Sequence, residues 1–188
     1  MTGRASLARE DFYLMVERLF WFERTFSFDS LPLWMYPNVV ERVRGTPARL
    51  EDLTRVLPRE ILTRRDRDKW SIQEHAGHLL DLEALGTNRL DDYEAGRDTL
   101  HAADLENRKT HEADYNAGAI ENILSAFRTE RMEFVHRLDE YDEAFVQRVA
   151  LHPRLKMKIR MLDLVFFIAE HDDHHLARIS ELIRLSAK

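Results

Sequence analysis

The chain has 188 residues, of which 33% are charged and 44% hydrophobic, with a net charge of −6. These proportions suit one soluble globular domain and exclude a disordered, collagen-like or channel-forming chain. The acidic balance argues against broad phosphate-backbone binding, so nucleic acid is not an expected partner. With no cysteine, disulfides, thiolate nucleophiles, thiolate zinc sites and iron–sulfur clusters all fall away, and any metal must be held by His, Asp or Glu.

The first 30 residues mix acids and bases, as in Arg9, Glu10, Asp11, Glu17 and Arg18. They lack the apolar core of a signal peptide, so a cytoplasmic protein without membrane association is the default expectation. Only six glycines and five prolines interrupt the chain, and β-branched alternation is scarce, so helical periodicity dominates and the expected fold class is all-α. An amphipathic stretch over 7–26 predicts a first helix, followed by a connection over 28–37. Residues 38–57 continue in helical pattern, with a break or fresh start at Gly45-Thr46-Pro47, since Thr is a good cap and Pro is tolerated at the first helical position. Residues 1–37 therefore read as an N-terminal helical extension packing on a bundle domain that spans 38–188.

Ser71-Ile72-Gln73-Glu74 fits the capping box, in which Ser and Glu satisfy each other's backbone, and predicts a helix over 72–94. A polar segment with His101, Asn107 and His111 follows. The next helix is expected over 116–141, buried along Ile120, Ile123, Leu124, Phe127, Val135 and Leu138. Residues 151–155, around His152-Pro153, read as a loop, and 160–185 as a long final helix. Four principal helices imply a four-helix bundle.

The chemistry-bearing stretch is Glu170-His171-Asp172-Asp173-His174-His175, inside the final apolar helix. His171 and His175 lie about 40° apart around the axis, close to Leu164, Ile168, Ile179 and Leu182. Imidazoles on an apolar face need partners for their nitrogens; i, i+4 spacing lets both converge on one divalent ion, and hydrogen bonding across the bundle is the simpler alternative. His174 falls at the edge of the face and Asp173 opposite it. The second helix offers His75 and His78, both in the sector of Ile72, Leu79, Leu82 and Leu85, and periodicity does not choose between them. A third imidazole from another helix gives a His₃ set with positions left for water or substrate.

The run from Trp70 through Ser71-Ile72-Gln73-Glu74-His75-Ala76-Gly77-His78 to Leu79, with Ala169-Glu170-His171-Asp172-Asp173-His174-His175-Leu176 far downstream, resembles the DinB/YfiT-like superfamily of four-helix bundles. The resemblance extends over 38–183 and includes the Leu151-His152-Pro153 approach to the last helix. It implies His78, His171 and His175 as the ligands of one divalent ion, nickel or zinc. It also implies a small-molecule substrate and an activated water or low-molecular-weight thiol, for hydrolysis or S-transfer. A non-catalytic metal-binding or stress-associated bundle is the alternative. Asp172, Glu74 and Asp81 are candidates to orient ligands or accept a proton.

Other signals point elsewhere. Asp172 stands where a zincin has Glu, and the chain has no phosphate-binding glycine loop or nucleophile elbow. Arg154, Lys156, Lys158 and Arg160 alternate with apolar residues, as a solvated edge or as a basic row for an anionic substrate. Arg64, Arg65, Arg67 and Lys69 are diluted by Asp66 and Asp68. Phe12, Phe20, Trp21, Phe22 and Trp34 suit either a homodimer surface or a cover over the end of the bundle.

Overall fold

The computed structural model describes residues 18–186. Helices α1 (Tyr36–Arg44) and α2 (Thr46–Thr54) form the first bundle rod, and a short α3 (Arg59–Leu62) follows. Helices α4 (Ile72–Asp81) and α5 (Glu83–Glu94) form the second rod. A short α6 (Arg108–Glu112) precedes the third, α7 (Ile120–Glu140), and α8 (Glu143–Val146) follows it. Strands β1 (Val149–His152) and β2 (Met157–Arg160) lead into the fourth, α9 (Met161–Ser186). Rods one, two and four each pack on one another or on α7, giving the four-helix bundle. No helix among the described residues is long and apolar enough to cross a membrane.

The core has two apolar clusters, one holding Val43, Leu90, Phe134 and Ala169, the other Leu50, Leu79, Phe127 and Leu176. Between them, at one level of all four rods, lie the buried polar residues Thr46, Glu83, Arg131 and Asp172. Arg131, 2% exposed, donates from Nε and Nη2 to both Glu83 oxygens at 2.9 and 2.6 Å. Its remaining N–H groups reach both oxygens of Asp172 and the Val43 carbonyl at 3.1 Å. That carbonyl is free because Pro47, four residues on, has no N–H to donate. The Thr46 hydroxyl donates to Asp172 at 2.7 Å.

The break at Gly45 is therefore where expected, but Thr46 does not cap α2; its hydroxyl serves the buried layer instead. The second rod kinks at Leu82, and α7 begins at Ile120 after a 3₁₀ turn at Tyr115–Ala117 rather than at 116. Ser71 and Glu74 do form the predicted capping box. Of the predicted first helix, residues 7–17, Phe12 among them, lie outside the described residues. Residues 18–26 contain only a 3₁₀ turn, Trp21–Glu23, between extended residues. Trp21 packs on Phe26 and Phe167, whereas Phe20, Phe22 and Trp34 are exposed.

Of the expected loop over 151–155, residues 153–155 are in the turn of an antiparallel hairpin and 151–152 end its first strand, with Ala150 opposite Ile159 and His152 opposite Met157. The basic alternation is strand periodicity: Ile159 points into the core, and Arg160 pairs with Asp163. His152, 1% exposed, accepts the Leu155 N–H on Nδ1 at 3.2 Å. Burial, reinforced by Arg89 and Arg154, lowers its pKa to about 3.

Replacing Arg131 by Met leaves Glu83 and Asp172 buried without a counter-charge and is expected to destabilise the protein by about 3–5 kcal/mol, read by urea denaturation. The His152 prediction concerns acid. Unfolded His152 takes up its proton near pH 6.5 and folded His152 only near 3. Its contribution is thus complete above 6.5 and lost as the pH falls between these values. In that window the pH slope of unfolding free energy is expected to shrink in His152→Gln by up to about 1.4 kcal/mol per pH unit.

Candidate metal centre

The capping box starts α4 so that its inner face carries His75 and His78 past the middle of α9. Nitrogen atoms of His78, His171 and His175 lie within 4.8 Å of one another. The His171 and His175 Nε2 atoms are 3.1 Å apart. At Zn–N distances near 2.0–2.1 Å, two ligands on one ion stand about 2.9 Å apart in octahedral and about 3.3 Å apart in tetrahedral geometry. The observed spacing falls between those values, so this pair of donors fits one divalent ion, with His78 close enough to join it.

Outer contacts fix which nitrogens face inward. The Thr110 hydroxyl donates to Asp81 at 2.8 Å, leaving its oxygen to accept from His78 Nδ1 at 3.1 Å. With the proton on Nδ1, the Nε2 lone pair of His78 is available to an ion. Tyr115 donates to the other Asp81 oxygen at 2.7 Å. Its ring lies so close to α4 that a Cβ on Gly77 would sit 2.2 Å from it, which is why this helix carries glycine at a cost in propensity. Lys109 completes the surroundings of Asp81 at 3.1 Å.

His75 is not part of the convergent set. Its Nδ1 meets His175 Nδ1 at 2.9 Å, and by accepting the proton there it frees the His175 Nε2 lone pair. Trp70 lies against His75 and His78, and Trp21 against His171 and His174. Burial among these rings keeps the imidazoles neutral. His78 is lowered to about 4 despite Asp81, and His75 to about 3 with His78 adding to the effect. His171 and His175 fall well below the usual histidine value, chiefly through burial. His174, lowered to about 4 by burial and Arg18, turns aside to Arg18 at 3.1 Å.

The three candidate carboxylates separate. Asp172 is held by Arg131 and Thr46 in the buried layer, and Glu74 caps α4 and pairs with Arg65. Burial pushes Glu74 up, but Arg65 and the Ser71 N–H hold it down to about 2. Asp81 alone reaches the imidazoles, through Thr110. Asp173 pairs with Arg42 and Arg49 on the outer surface. Sequence reasoning missed Thr110, Tyr115 and the partnership of Arg131 with Glu83. The first two have no spacing signal, whereas an arginine between Phe127 and Val135 on a buried stripe is one.

Residues 42–179 match the family model described as the DinB superfamily. Among solved structures, YfiT from Bacillus subtilis, described as a probable metal-dependent hydrolase with an unusual four-helix bundle topology, superposes with a TM-score of 0.73 at 18% identity. That match covers 87% of this chain and 94% of YfiT. The mycothiol-dependent maleylpyruvate isomerase superposes with a TM-score of 0.63 at 11% identity, over 81% of this chain and 62% of the isomerase. No curated protein matches in sequence. At such identities the two structures establish the shared bundle, while the family match spans well over half of the residues. The chain belongs to the DinB superfamily.

Proposed function

We propose that this protein is a divalent-metal-dependent enzyme, with nickel or zinc held by His78, His171 and His175, that hydrolyses a small molecule or transfers a low-molecular-weight thiol to one. The observation that carries this reading is the pair of Nε2 atoms 3.1 Å apart, each belonging to a buried or half-buried neutral imidazole. Behind His175 and His78 stand separate proton acceptors on the opposite ring nitrogen. An ion bound there would supply Lewis-acid chemistry, acidifying a water molecule or a thiol cosubstrate near neutral pH. The chain has no thiol of its own, so a sulfur nucleophile would come from solution. Trp21 and Trp70 limit access of bulk water to the imidazoles, and Thr110 with Asp81 holds His78 in one tautomer.

Metal analysis of gently purified protein is expected to give one equivalent of divalent metal, with affinity falling at least tenfold in each of His78→Ala, His171→Ala and His175→Ala. Unchanged stoichiometry in all three would sink the ligand assignment. Metal-loaded protein should show hydrolase or thiol-transfer activity that disappears on chelation and in the triple variant.

Thr110→Val is expected to weaken metal binding about 10–100-fold, because the His78 Nδ1–H loses its acceptor. Glu74→Gln should leave the affinity unchanged, since its carboxylate faces Arg65. Competition with a chromogenic chelator measures both; equal affinities for the two variants would remove Thr110 from the site.

A further inference from the structure

Beside His171 a cavity of about 90 Å³ opens between α4, α5, α7 and α9. Its walls are largely apolar, including Trp21, Leu79, Leu85, Phe134 and Phe167. Three polar groups in its lining are unusual. Arg89, 4% exposed, uses Nε to donate to the His101 carbonyl at 2.9 Å, and its two terminal nitrogens have no acidic partner among the described residues. Arg154 on the hairpin turn donates to the Trp21 carbonyl at 2.9 Å and stacks on Trp21, Phe22 and Phe167, again without a carboxylate among the described residues. His152 Nε2 is buried with no hydrogen-bond partner; since Nδ1 accepts from Leu155, Nε2 carries the proton.

The acids near this cluster are committed elsewhere. Glu83 and Asp172 face Arg131, Asp92 holds His101 and Arg97, and Asp104 pairs with Arg108. Two guanidinium groups and one N–H donor are thus collected on the wall of an apolar cavity; burial lowers Arg89 to about 10, with Tyr93 and Asp92 opposing the fall and Arg154 adding to it. His152 Nε2 is a buried donor without an acceptor, which is unfavourable, and a planar carboxylate offers lone pairs to it and to the two guanidinium groups beside it.

We infer that Arg89, Arg154 and His152 form the recognition site for a carboxylate, so that the substrate is a small carboxylic acid whose apolar body lies along Leu85 and Phe134 with its reacting end at His171. This specifies the substrate class of the metal-dependent activity proposed above and rests on it for the role of the imidazole end.

The test uses 3-phenylpropionate and its neutral isostere 3-phenylpropionamide, titrated by calorimetry into zinc-loaded and chelator-treated protein. The acid is expected to bind at least about tenfold more tightly than the amide in both forms. Arg154→Gln and Arg89→Gln should each remove about tenfold of the acid's affinity, leave the amide's unchanged and keep wild-type zinc content. Because Arg89 also holds the His101 carbonyl, Arg154→Gln decides alone if the other variant fails to fold. Equal binding of acid and amide, no binding of either at about 10 mM, or an acid affinity indifferent to Arg154→Gln overturns the inference. Acid binding that appears only with zinc also overturns it, while leaving the metal reading intact. If the protein cannot be loaded with zinc at all yet binds the acid in an Arg154-dependent way, the carboxylate site stands and the metal reading falls.

Discussion

A single buried guanidinium sets the geometry of this bundle. Arg131 is among the largest fully enclosed side chains, and taking it out of water costs several kcal/mol. That cost is offset only when Glu83, Asp172 and the Val43 carbonyl all stand at the right height and angle. Those partners come from the other three rods, so their mutual register is fixed by one side chain. Burial alone would lower the arginine's pKa; Asp172 and Glu83 more than reverse this, and the charge is retained. Glu83 is pushed up by its own burial against the pull of Arg131.

The consequence for the site is rotational. On α9, Asp172 points to Arg131, and at about 100° per residue His171 and His175 are then turned to a neighbouring direction, where α4 passes. Fixing one carboxylate thus aims two imidazoles. The kink at Leu82 falls at the same level of the second rod, placing Glu83 on the arginine while His78, a turn earlier, stays with the histidines. Charged and neutral groups are thereby separated: the carboxylates gather around Arg131, and the imidazoles gather between Trp21 and Trp70.

Much of this was legible in the residues. The bundle, the capping box at Ser71 and the break at Gly45 follow from periodicity and local hydrogen bonding, which act over a few residues. The histidine pair at 171 and 175 was legible for the same reason. His75 and His78 were not separable by periodicity because both face inward. What distinguishes them is tertiary: His78 meets Thr110 from α6, whereas His75 meets the far nitrogen of His175. The hairpin was missed because its strands are short and one reads as alternating basic residues, a pattern equally suited to a solvated edge. The segment over 18–26 misled in the opposite way. Its aromatic residues imitate an amphipathic helix, but Trp21 is better buried singly over Phe167 and His171 than as part of a helical face. Asp172 was assigned to chemistry because it lies between two histidines; its direction is decided by Arg131, a long way off in sequence.

The hairpin and the 18–26 segment meet where Arg154 donates to the Trp21 carbonyl. Trp21 covers His171 on one side and carries Arg154 on its ring, while His152 lies against Phe167 in the same cavity wall. Neither element belongs to the four rods, yet together they decide how wide and how polar the approach to the imidazoles is. The rods carry the three imidazoles around a buried layer of charge, and Thr110 from α6 orients one of them. The hairpin and the 18–26 segment are themselves seated in the core, through Ala150, Ile159 and Trp21. The imidazole cluster is thus set by the core, and the cavity beside it is finished by what is packed over the rods.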